Sequence, residues 1–274
     1  MSMVKGVIPC ARAGSSITCC ASTLSRHLPY NSSPRLFQKC STLRIGCVGR
    51  RTSAITCSSQ SDAIDVCVKA STTIPDTLGD CPFSQRVLLT LEEKRLEYNT
   101  KLVDLGNKPE WFLNISPEGK VPLIKLENQW ISDSDVITES LEQKYPNHSL
   151  QTPPEKAAIG GKIFSTFIGF LKSKDEGDGT ETALIDELSS FDEFIKGNGP
   201  FINGDRICSA DLSLGPKLYH MEIALDHYKK WSVPDTLPNV NAYMKEIFSL
   251  PSFVKTRALR EDVVAGWLPK VMGK

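Results

Sequence analysis

The chain has 274 residues, 40% of them apolar, and its 32 basic side chains balance 32 acidic ones. The balance hides a division: residues 1 to 61 hold eight Lys or Arg, 17 Ser or Thr and no Asp or Glu, which leaves residues 62 to 274 with 24 bases against 32 acids, a balance of −8. A body of that sign excludes electrostatic capture of nucleic acid or anionic lipid, and no stretch approaches the ~18 to 20 apolar residues that span a bilayer.

The basic, hydroxyl-rich, acid-free leader over 1–61 has the composition of an organelle transit peptide. Its Ser/Thr content and weak amphipathic periodicity favour a plastid over a mitochondrion, and its scattered apolar residues form no secretory core. Six of nine cysteines lie in it, so the body keeps only Cys67, Cys81 and Cys208. Three widely spaced thiols make no disulfide framework, and no CxxC or HxxxH spacing offers a metal site. The body reads as a reduced-compartment protein of about 213 residues, enough for one large domain or two small ones.

Ile64, Val66 and Val68 alternate with Asp65, Cys67 and Lys69, the signature of a strand in which Cys67 is half-buried. After a loop, Phe83, Val87, Leu88 and Leu91 recur at helical spacing behind Pro82, a residue suited to the first helical turn, and this helix ends near Lys94. Cys81 therefore falls at or beside the N-cap, where free backbone N–H groups and the helix dipole favour a thiolate. Asp80 opposes that activation, and the sequence leaves the local charge balance open. Leu96 to Val103 reads as a second strand and Lys108 to Ile115 as a short helix, stopped by Ser116-Pro117-Glu118-Gly119.

Val121 to Leu126 and Gln129 to Ile131 form a hairpin around Glu127-Asn128. Pro122 sits awkwardly at its start, since proline donates no ladder hydrogen bond. It is either an ordinary trans proline opening a strand or a cis one, which frees the preceding backbone for an extended peptide ligand. Ser132-Asp133-Ser134 supplies caps for a helix to about Tyr145. The order is β-α-β-α-β-β-α over 62–146. The proline-rich segment 147–154 reads as a linker, and 155–274 is helical throughout, with expected helices over 155–172, 181–196, 209–229, 238–249 and 252–264. Two such units imply a cleft between them that holds a small ligand.

In Cys81-Pro82-Phe83-Ser84 the second thiol of a redox pair is replaced by Ser84. No disulfide forms within the motif, so an oxidised Cys81 needs an outside thiol, of which glutathione is the abundant intracellular example.

These motifs together with Ser-Pro-Glu-Gly-Lys-Val-Pro, Ser-Asp-Ser-Asp and the helical second half resemble the glutathione transferase superfamily. Val68-Lys69-Ala70, Leu78-Gly79-Asp80-Cys81, Lys108-Pro109-Glu110-Trp111-Phe112, Leu218-Tyr219-His220 and Gly266-Trp267-Leu268-Pro269-Lys270 resemble, more narrowly, its plant dehydroascorbate reductases of plastid type. The resemblance covers nearly all of 62–274. It implies an α+β fold, with a thioredoxin-like βαβαββα domain followed by an all-helical C-terminal domain. It also implies Cys81 as the nucleophile that reduces dehydroascorbate, passing through a sulfenic acid and a mixed disulfide with glutathione.

Glutathione would then meet Lys108 at its glycyl carboxylate, Val121 through backbone hydrogen bonds, and Asp133 with Ser134 at its γ-glutamyl end, with Lys69, Asp80 and Trp267 also near. Lys69, Asp80, His220 and Lys270 would meet dehydroascorbate, with His220, Trp267 and Lys270 lining the cleft from the helical side. The resemblance further implies glutathione as co-substrate with no permanently bound cofactor, a monomer and a plastid stromal location. His148 and His227 remain unassigned surface candidates. Cys208 departs from the family's usual Ser or Thr at a helix N-cap, and Ser209 is expected to take over by a one-residue shift. A second resemblance, of Cys-Pro-Phe-Ser to the intracellular chloride channel proteins, leaves a membrane-associating role open, and a general thiol transferase remains a variant within the enzyme class.

Overall fold

A computed structural model describes residues 63–175 and 177–273; the leader and its transit-peptide reading lie outside them. The strands are β1 (Ile64–Lys69), β2 (Tyr98–Val103), β3 (Leu123–Leu126) and β4 (Gln129–Ser132). They form one mixed sheet in the order β2-β1-β3-β4, with β1 parallel to β2 and antiparallel to β3. β1 is thus central, and both of its faces are covered. Val66 and Val68 pack with Val87, Leu88 and Leu91 of helix α1 (Pro82–Glu93), while Cys67 packs on the other face with Leu123 and Phe112 of α2 (Glu110–Ile115). Cys67 is accordingly 0% exposed rather than half-buried: the alternation is real, but α2 closes the face that alternation alone assigns to water. β2 starts at Tyr98, two residues later than expected.

Helix α1 is buried at every position from Ser84 to Leu91, because it lies between the sheet and the long helix α6 (Ser209–Lys229). The remaining helices are α3 (Ser134–Lys144), α4 (Ile163–Lys172), α5 (Thr180–Asn198), α7 (Pro238–Ser249), α8 (Pro251–Thr256) and α9 (Arg260–Val271). Two expectations are corrected. The helix expected over 155–172 begins only at Ile163, after a 3₁₀ turn at Pro154–Lys156 and a turn through Gly160 (φ +70°) and Gly161. The helix expected over 252–264 is two, parted by extended backbone at Arg257 and Leu259. The break starts a fresh helix whose buried Asp262 faces the loop after β1.

At α6 the cap stays on Cys208 and does not shift to Ser209. Asp211 replaces the missing hydroxyl: its carboxylate accepts from Cys208 N at 2.8 Å and from Cys208 Sγ at 3.1 Å. Leu150 O and Thr152 Oγ1 accept from the amides of Ser209 and Ala210, which satisfies two more donors of the first turn. Among the described residues no helix is long and apolar enough to cross a membrane.

Candidate active site

Cys81 is the N-cap of α1 with extended backbone (φ −109°, ψ 108°), and Pro82 follows at the first helical position. Its half-buried Sγ accepts a hydrogen bond from Ser84 N at 3.4 Å. A donor aimed at a partly exposed sulfur from a helix N-terminus favours reactivity, and exposure is what sets Cys81 apart, since Cys208 also caps a helix but is buried. The other two thiols are of the inert kind. Burial pushes the Cys67 thiol up to about 11, and burial with the adjacent Asp211 charge raises that of Cys208.

Asp80, next to the thiol, is buried, and its carboxylate accepts from Lys69 Nζ at 2.5 Å. Burial raises the Asp80 carboxyl above its ordinary value, against the pull of Lys69, and the charge of Asp262 adds to the rise. From the other side α9 approaches so closely that a Cβ at Gly266 would stand 1.5 Å from Asp80 Oδ2. Only glycine permits that contact. One turn further on, Lys270 lies with its Nζ 4.1 Å from the centre of the Trp267 ring. Burial lowers the Lys270 ammonium below its usual range; Asp80 and Cys81 counter that, while Lys172 and Lys69 add to it. Cys81, Lys69, Asp80 and Lys270 therefore form one cluster.

Trp267 and His220 were expected at the cleft surface, but the structure buries both, at 3% and 1% exposure. The indole Nε1 donates to His220 Nδ1 at 3.1 Å. Phe167 packs edge-on to the indole at 5.0 Å, and Phe164 bridges it to Phe83, two residues beyond the thiol. His220 thus lies beneath Trp267 and contacts it through this hydrogen bond.

The remaining expected residues gather beside this cluster. Val121, Asp133 and Ser134 line a cavity of about 450 Å³ together with Phe83, Trp130 and Glu118. The Val121–Pro122 peptide is cis, and among the described residues the Val121 backbone has no backbone partner. Asp133 caps α3 from a positive φ of 72°, its carboxylate accepting from the amides of Asp135 and Val136 at 2.8 and 3.3 Å. Ser134 is buried, and its Oγ accepts from Arg86 Nη1 at 3.4 Å. Lys108 is exposed and does not line the cavity; its side chain lies over Gly119, in the turn between the lining residues Glu118 and Lys120.

Sequence reasoning missed three residues that shape this site: Arg86, Asp262 and Gly266. Arg86 reaches from α1 to Asp135 Oδ1 at 2.5 Å and so ties the start of α3 to the thiol's helix. Its place directly before the apolar run Val87-Leu88-Leu89 was the available signal, since an arginine buried there needs a partner. Gly266, inside a helix, was the other signal, because a mid-helix glycine implies close approach.

Comparison with known proteins agrees with this geometry. The family model for the glutathione S-transferase N-terminal domain matches residues 80–144. A rice (Oryza sativa subsp. japonica) protein named probable glutathione S-transferase DHAR2, chloroplastic, is 68% identical over 83% of this chain and 84% of its own length. The Arabidopsis thaliana glutathione S-transferase DHAR3, chloroplastic, is 62% identical over 86% of this chain and 90% of its own. The crystal structure of Chlamydomonas reinhardtii dehydroascorbate reductase superposes with a TM-score of 0.68 at 35% identity, covering 76% of this chain and 99% of that one. With a thioredoxin-like sheet, a helical second half and relatives this similar along most of their length, the chain belongs to the glutathione-dependent dehydroascorbate reductases of the glutathione transferase superfamily, in their chloroplast branch.

Proposed function

We propose that dehydroascorbate is reduced by Cys81 alone, in a cycle that returns through two glutathiones. Cys81 Sγ gives two electrons to dehydroascorbate and takes oxygen from water, leaving ascorbate and a cysteine sulfenic acid. A first glutathione thiol displaces that oxygen as water and forms a mixed disulfide. A second attacks the glutathione sulfur, frees Cys81 and leaves as glutathione disulfide. The single observation that carries this reading is the lone thiol at the mouth of α1, with Ser84 where a resolving cysteine would stand and with Cys67 and Cys208 both buried.

In this reading glutathione lies in the cavity beside Phe83, its backbone along Val121, its γ-glutamyl end at Asp133 and Ser134 and its glycyl carboxylate toward Lys108. A zwitterionic end calls for donors and acceptors together, and the start of α3 suits a carboxylate. Dehydroascorbate lies against Lys69, Asp80 and Lys270, with His220 holding Trp267 beneath it. Residues 62–146 and 155–274 act as two domains joined by 147–154, and the protein works as a monomer, as its resemblance to the plant reductases implies. A steady-state assay with dehydroascorbate and glutathione tests the cycle: Cys81→Ser abolishes turnover, and retained turnover overturns the assignment.

A further inference from the structure

The loop between β1 and Cys81 folds back on itself. Lys69 O accepts from Gly79 N at 2.8 Å, Ala70 bridges to Leu78, and Ser71 N donates to Thr77 O at 2.9 Å. Lys69 and Asp80 are thus the two feet of one closed loop. At its shoulder Ser71 Oγ accepts from the amides of Thr73 and Ile74 at 3.1 and 2.9 Å, which fixes the turn. This shoulder is held by one carboxylate of α9. Asp262 is 0% exposed, and its Oδ1 accepts from Ser71 Oγ at 2.7 Å, Thr73 Oγ1 at 2.9 Å, and the amides of Thr72 and Thr73 at 3.2 Å each. Its other oxygen, also buried, has no partner among the described residues.

On α9 the residues Asp262, Gly266 and Lys270 follow at intervals of four and so share one face. That face touches the loop's shoulder through Asp262 and the loop's foot through Gly266, against Asp80, and it carries Lys270 beside the Trp267 ring. The loop carries Lys69 and Asp80; the helix carries Lys270. Asp262 is the hydrogen-bonded joint between the two pieces.

We infer that Asp262 is a positioning residue of the reductase: it sets the register between the Lys69–Asp80 loop and α9, and with it the width of the dehydroascorbate side of the site. It touches neither substrate. Glutathione also passes Lys69 and Asp80, but its main contacts, at Val121, Asp133 and Ser134, have no connection to Asp262, so the two substrates respond differently to its loss. This rests on the assignment of Lys69, Asp80 and Lys270 to dehydroascorbate.

The test compares Asp262→Ala with the loop-side variant Ser71→Ala/Thr73→Val, which removes two of the same hydrogen bonds from a more exposed position and carries the test alone if Asp262→Ala does not fold. Both are expected to raise the KM for dehydroascorbate about tenfold, the loss of roughly one charge-assisted hydrogen bond's worth of alignment, with the KM for glutathione within twofold of the parent. Asp262→Asn, which keeps an acceptor at the Oδ1 position, restores the dehydroascorbate KM to within about threefold. A merely structural role would lower the melting temperature and the active fraction and leave both KM values alone. An unmoved dehydroascorbate KM, an equal shift in both KM values, or an Asn variant no better than Ala overturns the inference. Amide exchange at Thr72 and Thr73 reads the joint without any turnover: lost protection in Asp262→Ala supports it and unchanged protection refutes it. Failure of the underlying cycle shows separately, as turnover that survives Cys81→Ser.

Discussion

His220 is a titratable group that the fold buries completely, beneath Trp267. Burial, reinforced by the charges of Lys270 and Lys69, pushes its pKa down to about 3. The folded protein therefore keeps the ring neutral where the unfolded chain, titrating near ~6.5, takes up a proton. Between those values the unfolded state binds more protons, so the contribution to stability is complete above ~6.5 and is lost as pH falls toward 3, by up to about 1.4 kcal/mol per pH unit. Urea unfolding of the parent and of His220→Gln at pH 7, 6, 5 and 4 measures this; the variant is expected to lose about one proton from the pH dependence. A surface histidine would show no difference between the two. The position of His220 on a helix was readable in the sequence, but its burial was not: Leu218, Tyr219 and Met221 beside it are equally consistent with a cleft wall. What decides is α9, which packs its indole onto the ring.

The start of α6 shows the same limit one level up. A thiol is a poor cap, and losing a hydroxyl cap costs about 1 kcal/mol, so Cys208 looks like a weak point. The structure moves the work to Asp211, fully buried, which also accepts from Ile202 N at 2.9 Å and from the Tyr243 hydroxyl at 3.0 Å. Cys208→Ser is therefore expected to change unfolding free energy by less than about 0.5 kcal/mol, whereas Asp211→Ala, which strands two buried amides and a phenol, costs more than about 3 kcal/mol. Chemical denaturation of both variants separates the two readings of the cap. Elements whose apolar residues recur at helical spacing, such as α1 and α7, were legible from spacing alone. Those that were not, α4 and the α8–α9 break, are set by distant partners: Gly160 packs against Leu214, and Asp262 is drawn to Ser71. Of the site, the thiol and its missing partner could be read locally. The joint at Asp262 could not, because an acidic residue in a first helical turn is usually only a favourable dipole partner.

Across the whole molecule the three thiols of the described residues divide by burial: Cys81 and Cys208 both cap helices, but only Cys81 is partly exposed, while Cys67 and Cys208 are buried. In the native protein, alkylation followed residue by residue with mass spectrometry is expected to modify Cys81 first, with Cys67 and Cys208 reacting only at the rate set by unfolding. Labelling of Cys67 at a rate near that of Cys81 would mean that β1 opens locally. The two halves of the site also differ in how far apart along the chain their parts lie. Lys69 and Asp80 are 11 residues apart, whereas Ser71 and Asp262 are 191 apart. By loop-closure entropy the second contact is about 2.5 kcal/mol harder to close than the first. The Lys69–Asp80 salt bridge beside the thiol can therefore organise while much of the chain is still unstructured, but the wall that α9 adds exists only once the entire body has folded. A partly unfolded molecule, in mild denaturant or during refolding, is thus expected to present Cys81 before its complete wall, and to exchange with any disulfide at hand.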